Sequence, residues 1–490
     1  MKIHLIGHAS LFVETQDARI LMDPVLWDPF CEGLNETCPK REVIPERLPE
    51  FDFLVISHQH LDHFDLRSLA YLPKHVDVLI PPDPLIKSTL AELGYRNVYA
   101  LNDFQKVKIG STVLMPTRSE VRVPEFGMVF ADPSGVFWNT VDTYFAPPTI
   151  RAVQSHFPQI DYLLSTWHIS LEVKYQLNQS ISFPFALYGE LLRLIQLINP
   201  RAITPGAQGW KYINEAAWQN RVVFPVTRER FCHDVAQVLP EIRDRIYVLD
   251  PGDIFTLDQG TYHLEIGGCE YARMIEDDRE QIEFSPVNVG SALRDANPAN
   301  EDVAQMHQVI SQEMSGALPE FIRENLQTLF ANHCQWQVIY QLEVVFPDGQ
   351  RTWQIDFSQS DIQVIENRNP LANFFTYITA SSLYALIQKR RDWDYLFCSG
   401  EYRQFHKIYQ LTPAGLTTLP DGLLEDPLSL KYSAQYVAGG AIKAELVQLK
   451  AQGFLAVSSH QVTEPNYRML NLGNMLIMVK RDRSRETINS

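Results

Sequence analysis

The stretch Leu54-Val55-Ile56-Ser57-His58-Gln59-His60-Leu61-Asp62-His63 ends an apolar, strand-like run and then sets three imidazoles and a carboxylate in the spacing His-x-His-x-Asp-His. Neutral imidazole nitrogens and carboxylate oxygens suit zinc, iron or manganese. On a tight loop alternate residues face the same way, so His58 and His60 are expected to hold one ion. Asp62 and His63, turned to the other side, are expected to hold a second a few ångströms away, the two-metal arrangement that activates water. The alternative is a polar loop at a helix start whose histidines only cap and solvate. Clustering of this kind at a strand end favours metal, and the expected cofactor is one or two divalent ions, zinc, iron or manganese.

Stepping outward, the pattern reads as strands at Ile3 to Ile6, Ser10 to Glu14 and Arg19 to Met22, so that Asp23 closes a strand where open sheets carry their site residues. A long loop is expected from Trp27 to Pro49, then the central strand Phe53 to Ser57. After the histidines come a short helix Leu66 to Tyr71, a strand Val76 to Ile80 and an amphipathic helix Pro84 to Leu93 stopped by Gly94. Strands follow at Val107 to Ile109, Thr112 to Met115, Gly127 to Ala131 and Val136 to Val141, the last two joined by the turn Asp132-Pro133-Ser134-Gly135. Helices at Pro148 to Phe157, Ala186 to Ile198 and Arg228 to Val238 alternate with strands at Tyr162 to Ser165, Arg201 to Thr204, Ile246 to Leu249 and Ile254 to Leu257. Such alternation with hairpins predicts a layered α/β domain over residues 1–260, with helices outside two sheets.

The pattern changes near Asp258-Gln259-Gly260, and residues 261–490 read as a smaller α+β domain, accessory or substrate-binding. A charged, partly exposed stretch spans Ile275 to Gln281, and helical periodicity runs from Asp302 to Leu329. Alternation through Trp336, Val338, Tyr340, Leu342, Val344 and Phe346, the turn at Pro347-Asp348-Gly349-Gln350, then Trp353, Ile355 and Phe357 predicts a hairpin with one buried face. Phe375 to Gln388 reads as strand into helix, and Tyr432 to Gln452 as partly helical.

The 490 residues carry a formal net charge of −17, which argues against a broad nucleic-acid or anionic-membrane footprint and for a small-molecule substrate. No apolar run approaches the ~20 residues of a membrane span. The start of the sequence lacks the longer apolar core of a signal peptide. Six scattered cysteines without a Cys-x-x-Cys pair fit reduced thiols and a cytoplasmic location. Eight of the fourteen histidines fall between His4 and His168, so metal chemistry belongs to the first half.

The order Gly7-His8-Ala9-Ser10, Asp23, His58-x-His60-x-Asp62-His63 and Asp142 resembles the metallo-β-lactamase fold superfamily, an αββα sandwich. The Gly-His-Ala/Ser opening is similar to the branch containing ascorbate-6-phosphate lactonase and N-acyl-phosphatidylethanolamine phospholipase D. The resemblance implies metal binding at His58, His60, Asp62, His63 and Asp142, with Asp23 orienting the histidine loop and His8 in a supporting role. Two histidines of the usual set are missing, where the chain has Pro116-Thr117-Arg118-Ser119-Glu120 and Pro205-Gly206-Ala207-Gln208. Glu120, and more weakly Gln208, are oxygen donors that could substitute. His168, just past the strand Tyr162 to Ser165, is an alternative sixth ligand. His156 reads as helix surface.

Loops at Asp161 to His168, Phe183-Pro184-Phe185-Ala186 and Pro205 to Trp210 also look like those of CMP-N-acetylneuraminate hydroxylase. That family carries a Rieske domain, whose Cys-x-His and Cys-x-x-His ligand pairs are missing here, so electrons would come from a separate reductase. The segment from Phe357 through Gly400 is similar to sterol-carrier-type domains, which implies an apolar tunnel. Three functions follow. The first is a metal-dependent hydrolase of an ester, lactone, amide or phosphodiester, with ion-activated hydroxide, Asp62 orienting the water and Arg118 binding an anionic substrate group. The second is an iron-dependent oxygenase, and the third a non-catalytic metal-binding protein. The oligomeric state is open.

Overall fold

The computed structural model describes residues 1–490 except 122, 168, 208, 290–292, 360, 414, 438–439, 454–466 and 481–490. Two eight-stranded sheets face each other. The first runs Thr261–Glu265, Ile254–Asp258, Lys2–Gly7, Ser10–Glu14, Arg19–Met22, Phe53–Val55, Asp77–Ile80, Val98–Ala100. The second runs Ile203–Pro205, Tyr162–Ser165, Gly135–Asn139, Phe126–Asp132, Thr112–Arg118, Lys106–Ile109, Met475–Lys480, Tyr467–Asn471.

Period-two alternation decides which layer each side chain joins. Leu11, Val13, Phe53 and Val55 point inward to meet Leu114, Met128, Phe130 and Phe137 of the facing sheet. Their neighbours Phe12, Leu54 and Ile56 point outward, against Leu66, Leu69, Ile86 and Leu90 on the helices Leu66–Tyr71 and Pro84–Glu92. Behind the second sheet, Val129, Trp138 and Leu163 pack on Ile150, Val153, Leu194, Ile195 and Phe231 of three further helices. The layers are therefore helix, sheet, sheet, helix, as the periodicity and the resemblance imply.

Residues 302–437 build a separate apolar core around a five-stranded sheet ordered Val364–Ile365, Gly349–Asp356, Ile339–Phe346, Phe374–Thr379, Tyr402–His406. The hairpin expected at Pro347 to Gln350 pairs Phe346 with Gly349. The strand Phe374–Thr379 runs straight into the helix Ala380–Ile387, capped by Thr379. Several contacts cross the break expected near residue 260. Met475–Lys480 pairs in parallel with Lys106–Ile109, and the helix Gly440–Ala451 buries Ile442, Leu446 and Leu449 against the outer face of the first sheet's helices.

Some elements differ from the sequence reading. The loop Trp27 to Pro49 contains the strands Asn35–Thr37 and Lys40–Val43, which pair with Trp210–Tyr212 and Ala272–Glu276. Ile246 makes a single bridge to Ile203 rather than a strand. The helix from Val303 widens into a π turn at Glu313–Ala317 and ends at Glu324. Pro319 follows that turn, and it has no N–H to donate and crowds the carbonyl four residues back.

Candidate metal centre

The opening turn sets one wall. Gly7 has φ +140°, and a Cβ there would sit 2.7 Å from Arg41 Cδ, so only glycine lets the buried arginine pass. Arg41 donates to the carbonyls of Ile6 and Val25 and to Asp28, which holds the turn against the loop that follows. His8 comes out of that turn buried, with its ring stacked on Phe30.

The histidine loop leaves the strand Phe53–Val55 at Ser57 and is pinned from below. Asp23, fully buried, accepts from the Ser57 N–H and from Ser57 Oγ at 2.7 Å each, and its Oδ2 lies 3.0 Å from His63 Nδ1. His63 N–H and Phe64 N–H both donate to the His60 carbonyl, and buried Phe64 anchors the turn. Asp65 then caps the next helix by accepting from Ser68 N–H.

These bonds assign the ring protons. Ser57 Oγ gives its proton to Asp23, so it accepts from His58 Nδ1 at 2.9 Å, and His58 Nε2 is left with a lone pair. That nitrogen is buried with no hydrogen-bond partner, and so is Asp142 Oδ1. An unpartnered buried acceptor costs about 1–3 kcal/mol, and a bound cation removes that cost. His63 Nε2 lies 3.0 Å from Asp142 Oδ2 and 3.5 Å from Asp62 Oδ2, and Asp62 Oδ2 lies 3.1 Å from His8 Nε2.

Three overlapping groups have ligand atoms within 4.8 Å of one another: His58, His60 and Asp62; His58, His63 and Asp142; His8, Asp62 and His63. The expected pairs, His58 with His60 and Asp62 with His63, each fall within one of these groups, and His58, Asp62 and His63 each belong to two. Asp142 reaches the rim because Val141, at φ 53°, turns the chain after the strand Gly135–Asn139.

The electrostatics suit a cation. Burial, with His63 and His60 beside it, holds His58 well below the ordinary histidine range. Burial alone would lower His63, but Asp62 and Asp142 outweigh it and push its pKa well up. Burial likewise opposes ionisation of Asp62, and His63 and His8 reverse this, so its carboxyl sits well below the usual range. The carboxylates that draw a proton onto His63 will draw a divalent ion in its place, releasing that proton.

A cavity of about 370 Å³ opens over the loop and is lined by His60, Asp62 and Asp142. Its far wall comes from distant sequence: Asp392, Asp394, Phe397 and Cys398 around the helix Trp393–Ser399, and Ala441 and Ile442 of the helix Gly440–Ala451.

Arg118 and Glu120 are not brought to this site. Arg118 is 54% exposed and donates to Asp103 at 2.7 Å, and Glu120 is exposed outside the cavity lining. His168 and Gln208 lie outside the described residues. The carboxylate that does line the cavity is Glu125, which the sequence reading missed. It precedes the strand Phe126–Asp132, whose first N–H donates to the Ser57 carbonyl at 3.2 Å, and this bond sets Glu125 beside the histidine loop. Burial pushes Glu125 up to about 7, with Asp142 adding to the shift and Ser119 and His63 opposing it. An acidic residue directly before a buried strand was the available signal. Glu172, also lining the cavity, is pushed up to about 7 by burial and by Asp62 and Asp142, against the Tyr212 hydroxyl.

Among known proteins, residues 2–129 match the model of the beta-lactamase superfamily domain. A protein of Mycolicibacterium smegmatis, named as a Rieske 2Fe-2S iron-sulfur protein, is 27% identical over 179 residues, 33% of each chain. The chain thus spans about a third of the length of that curated relative. A UPF0173 metal-dependent hydrolase of Caldivirga maquilingensis is 23% identical over 260 residues, 51% of this chain and 96% of that protein. N-acyl-phosphatidylethanolamine-hydrolyzing phospholipase D 1 of Caenorhabditis elegans is 38% identical over 64 residues, 12% of this chain and 18% of that one. Among the described residues no helix is long and apolar enough to cross a membrane. The Gly-His turn, Asp23 and the His-x-His-x-Asp-His loop all fall inside the segment that matches the beta-lactamase superfamily domain, and Asp142 lies beyond it.

Proposed function

We propose that this protein is a metal-dependent hydrolase, with one or two divalent ions held by His58, His60, Asp62, His63 and Asp142. His168 is the further ligand expected from the sequence, and residues 261–490 serve as the part that closes the substrate cavity. The observation that carries the reading is the pair of buried, unpartnered ligand atoms, His58 Nε2 and Asp142 Oδ1, in one compact group with His63. The Caldivirga relative, which matches over nearly its whole length and is named a metal-dependent hydrolase, supports it.

Bound there, a divalent ion supplies Lewis acidity and lowers the pKa of water. The chain's own residues do the rest. Asp23 fixes the His63 ring through Nδ1, so Nε2 is presented toward Asp142. Asp62, oriented by His8, offers an oxygen that aligns a water. Glu125, with its carboxyl near 7, holds or gives up a proton at neutral pH on the same wall, the property a general acid–base group needs. The bond cleaved is an ester, lactone, amide or phosphodiester.

A second reading, an iron-dependent oxygenase, is favoured by the mixed imidazole and carboxylate ligand set and by the relative named for a Rieske cluster. These 490 residues contain no Cys-x-His pair, so that reading requires an electron donor outside them. Elemental analysis of anaerobically purified protein tests both. Zinc with turnover of generic esters or phosphodiesters supports the hydrolase; iron with O₂ consumption supports the oxygenase; less than a tenth of an equivalent of any such metal would sink both.

A further inference from the structure

Among the described residues, carboxyl groups dominate the ionisable lining of the cavity over the metal centre, and burial pushes Glu125, Glu172 and Asp394 up to about 7. Asp62, Asp142 and Glu125 stand on the histidine side, and Glu32, Glu172, Asp392 and Asp394 on the opposite wall. Among the described residues no lysine or arginine lines it. Glu32 is paired with Arg391, which lines a neighbouring cavity, and the metal ligands have their ions. Among the described residues Glu172 and Asp394 make no ion pair, and Asp392 feels only the charge of its neighbour Arg391. Asp392 is 2% exposed; its Oδ1 caps the helix Trp393–Ser399, and its Oδ2 is buried with no hydrogen-bond partner.

Aromatic surface accompanies these carboxylates. Tyr212 donates to Glu172 and packs edge-on to Trp210, with ring centroids 5.0 Å apart. Phe397 lies one turn beyond Asp394 on the same helix, hence on the same face. Trp210, Tyr212 and Phe397 all line the cavity. Carboxylates beside aromatic faces are the chemistry that holds an organic cation, by charge-assisted hydrogen bonds and by attraction to the ring faces. A bare metal ion would have no use for the rings or for about 370 Å³ of space. Among the described residues no side chain of the far wall offers an anionic substrate a cationic partner, and Arg118 lies outside the lining.

We infer that this cavity takes a substrate bearing a positively charged nitrogen, an ammonium or guanidinium held by Glu172 and Asp394 against aromatic rings, with its scissile bond on the Asp62 and Asp142 side. The inference rests on the metal-site reading for the position of the scissile bond, and adds the substrate class.

Titration calorimetry of the metal-loaded full chain with benzylammonium, benzyl alcohol and benzoate tests it. Benzylammonium should bind about tenfold or more tightly than benzyl alcohol, and benzoate weakest. Glu172→Gln and Asp394→Asn should each reduce the preference, and the double variant should abolish it, with metal content and unfolding midpoint unchanged. If the double variant fails to fold, Asp394→Asn alone must lower the preference. Equal binding of the alcohol, tighter binding of benzoate, or a full preference in the variants overturns the inference. So does loss of a bound divalent ion in the variants, which would assign these carboxylates to metal. Failure of the metal reading shows separately, as a wild-type chain that loads no divalent ion whatever its amine preference.

Discussion

Asp23 Oδ2 lies 3.0 Å from His63 Nδ1, with both side chains fully buried, so the far nitrogen of His63 is held against Asp142 and Asp62. The same carboxylate grips Ser57, whose hydroxyl orients His58. One aspartate therefore orients two candidate ligands without reaching the cavity. Asp23→Asn should weaken metal affinity by roughly 10–100-fold, read by competition with a chromophoric chelator, while the far-ultraviolet spectrum is retained. Unchanged affinity would remove Asp23 from its orienting role.

His58 and His60 share one candidate group with Asp62, and their rings are 4.5 Å apart. The double substitution to alanine should leave the purified protein with less than half the wild-type metal content by elemental analysis. If metal content is unchanged, the ions are bound elsewhere.

Glu125 makes stability depend on pH in a defined direction. Its folded pKa, about 7, lies above the ordinary carboxyl value of 4.5, so the folded state holds a proton that the unfolded chain releases. Stability from this group is complete below the unfolded value and is lost as pH rises from there through about 7. The loss is of order 3 kcal/mol for the chelator-treated protein. Urea unfolding at ~pH 5 and ~pH 8 should show the fall, and Glu125→Gln should flatten it. A slope unchanged in the variant would assign the titration to another group.

Arg118 is the contrasting case. It is half exposed and paired with Asp103, and exposed pairs of this kind contribute about 0–1 kcal/mol. Arg118→Ala should leave metal content at the wild-type value and shift stability by less than about 1 kcal/mol in urea unfolding. A loss of metal or of turnover would return Arg118 to the site.

How much of this was legible follows from sequence distance. The histidine loop was readable because six consecutive positions, His58 to His63, carry the donors, and a strand end with a short turn is a local event. Asp23 was readable because it closes the strand that lies next to Phe53–Val55 in the sheet. Glu125 was not, because only the bond between Phe126 N–H and the Ser57 carbonyl brings it close, and sheet geometry far from either residue decides that bond. The strands Asn35–Thr37 and Lys40–Val43 were hidden for the same reason: each pairs with a segment more than a hundred residues away and has too few apolar positions to announce itself. The acidic far wall needed the helix Trp393–Ser399 to fold over the cavity, which no local pattern near His58 records.

The parallel ladder between Lys106–Ile109 and Met475–Lys480, reinforced by Gln105 Nε2 donating to the Gly473 carbonyl across 368 positions, also bears on how the molecule is made. During synthesis the strand Lys106–Ile109 emerges long before its partner, with a row of backbone donors and acceptors facing water. An uncovered edge of that kind is a template for pairing with other chains. Closing it requires the ends of a very long loop to meet, a slow, entropically opposed step. A chain still lacking Met475–Lys480 therefore presents this edge for pairing, and arrival of that strand covers it.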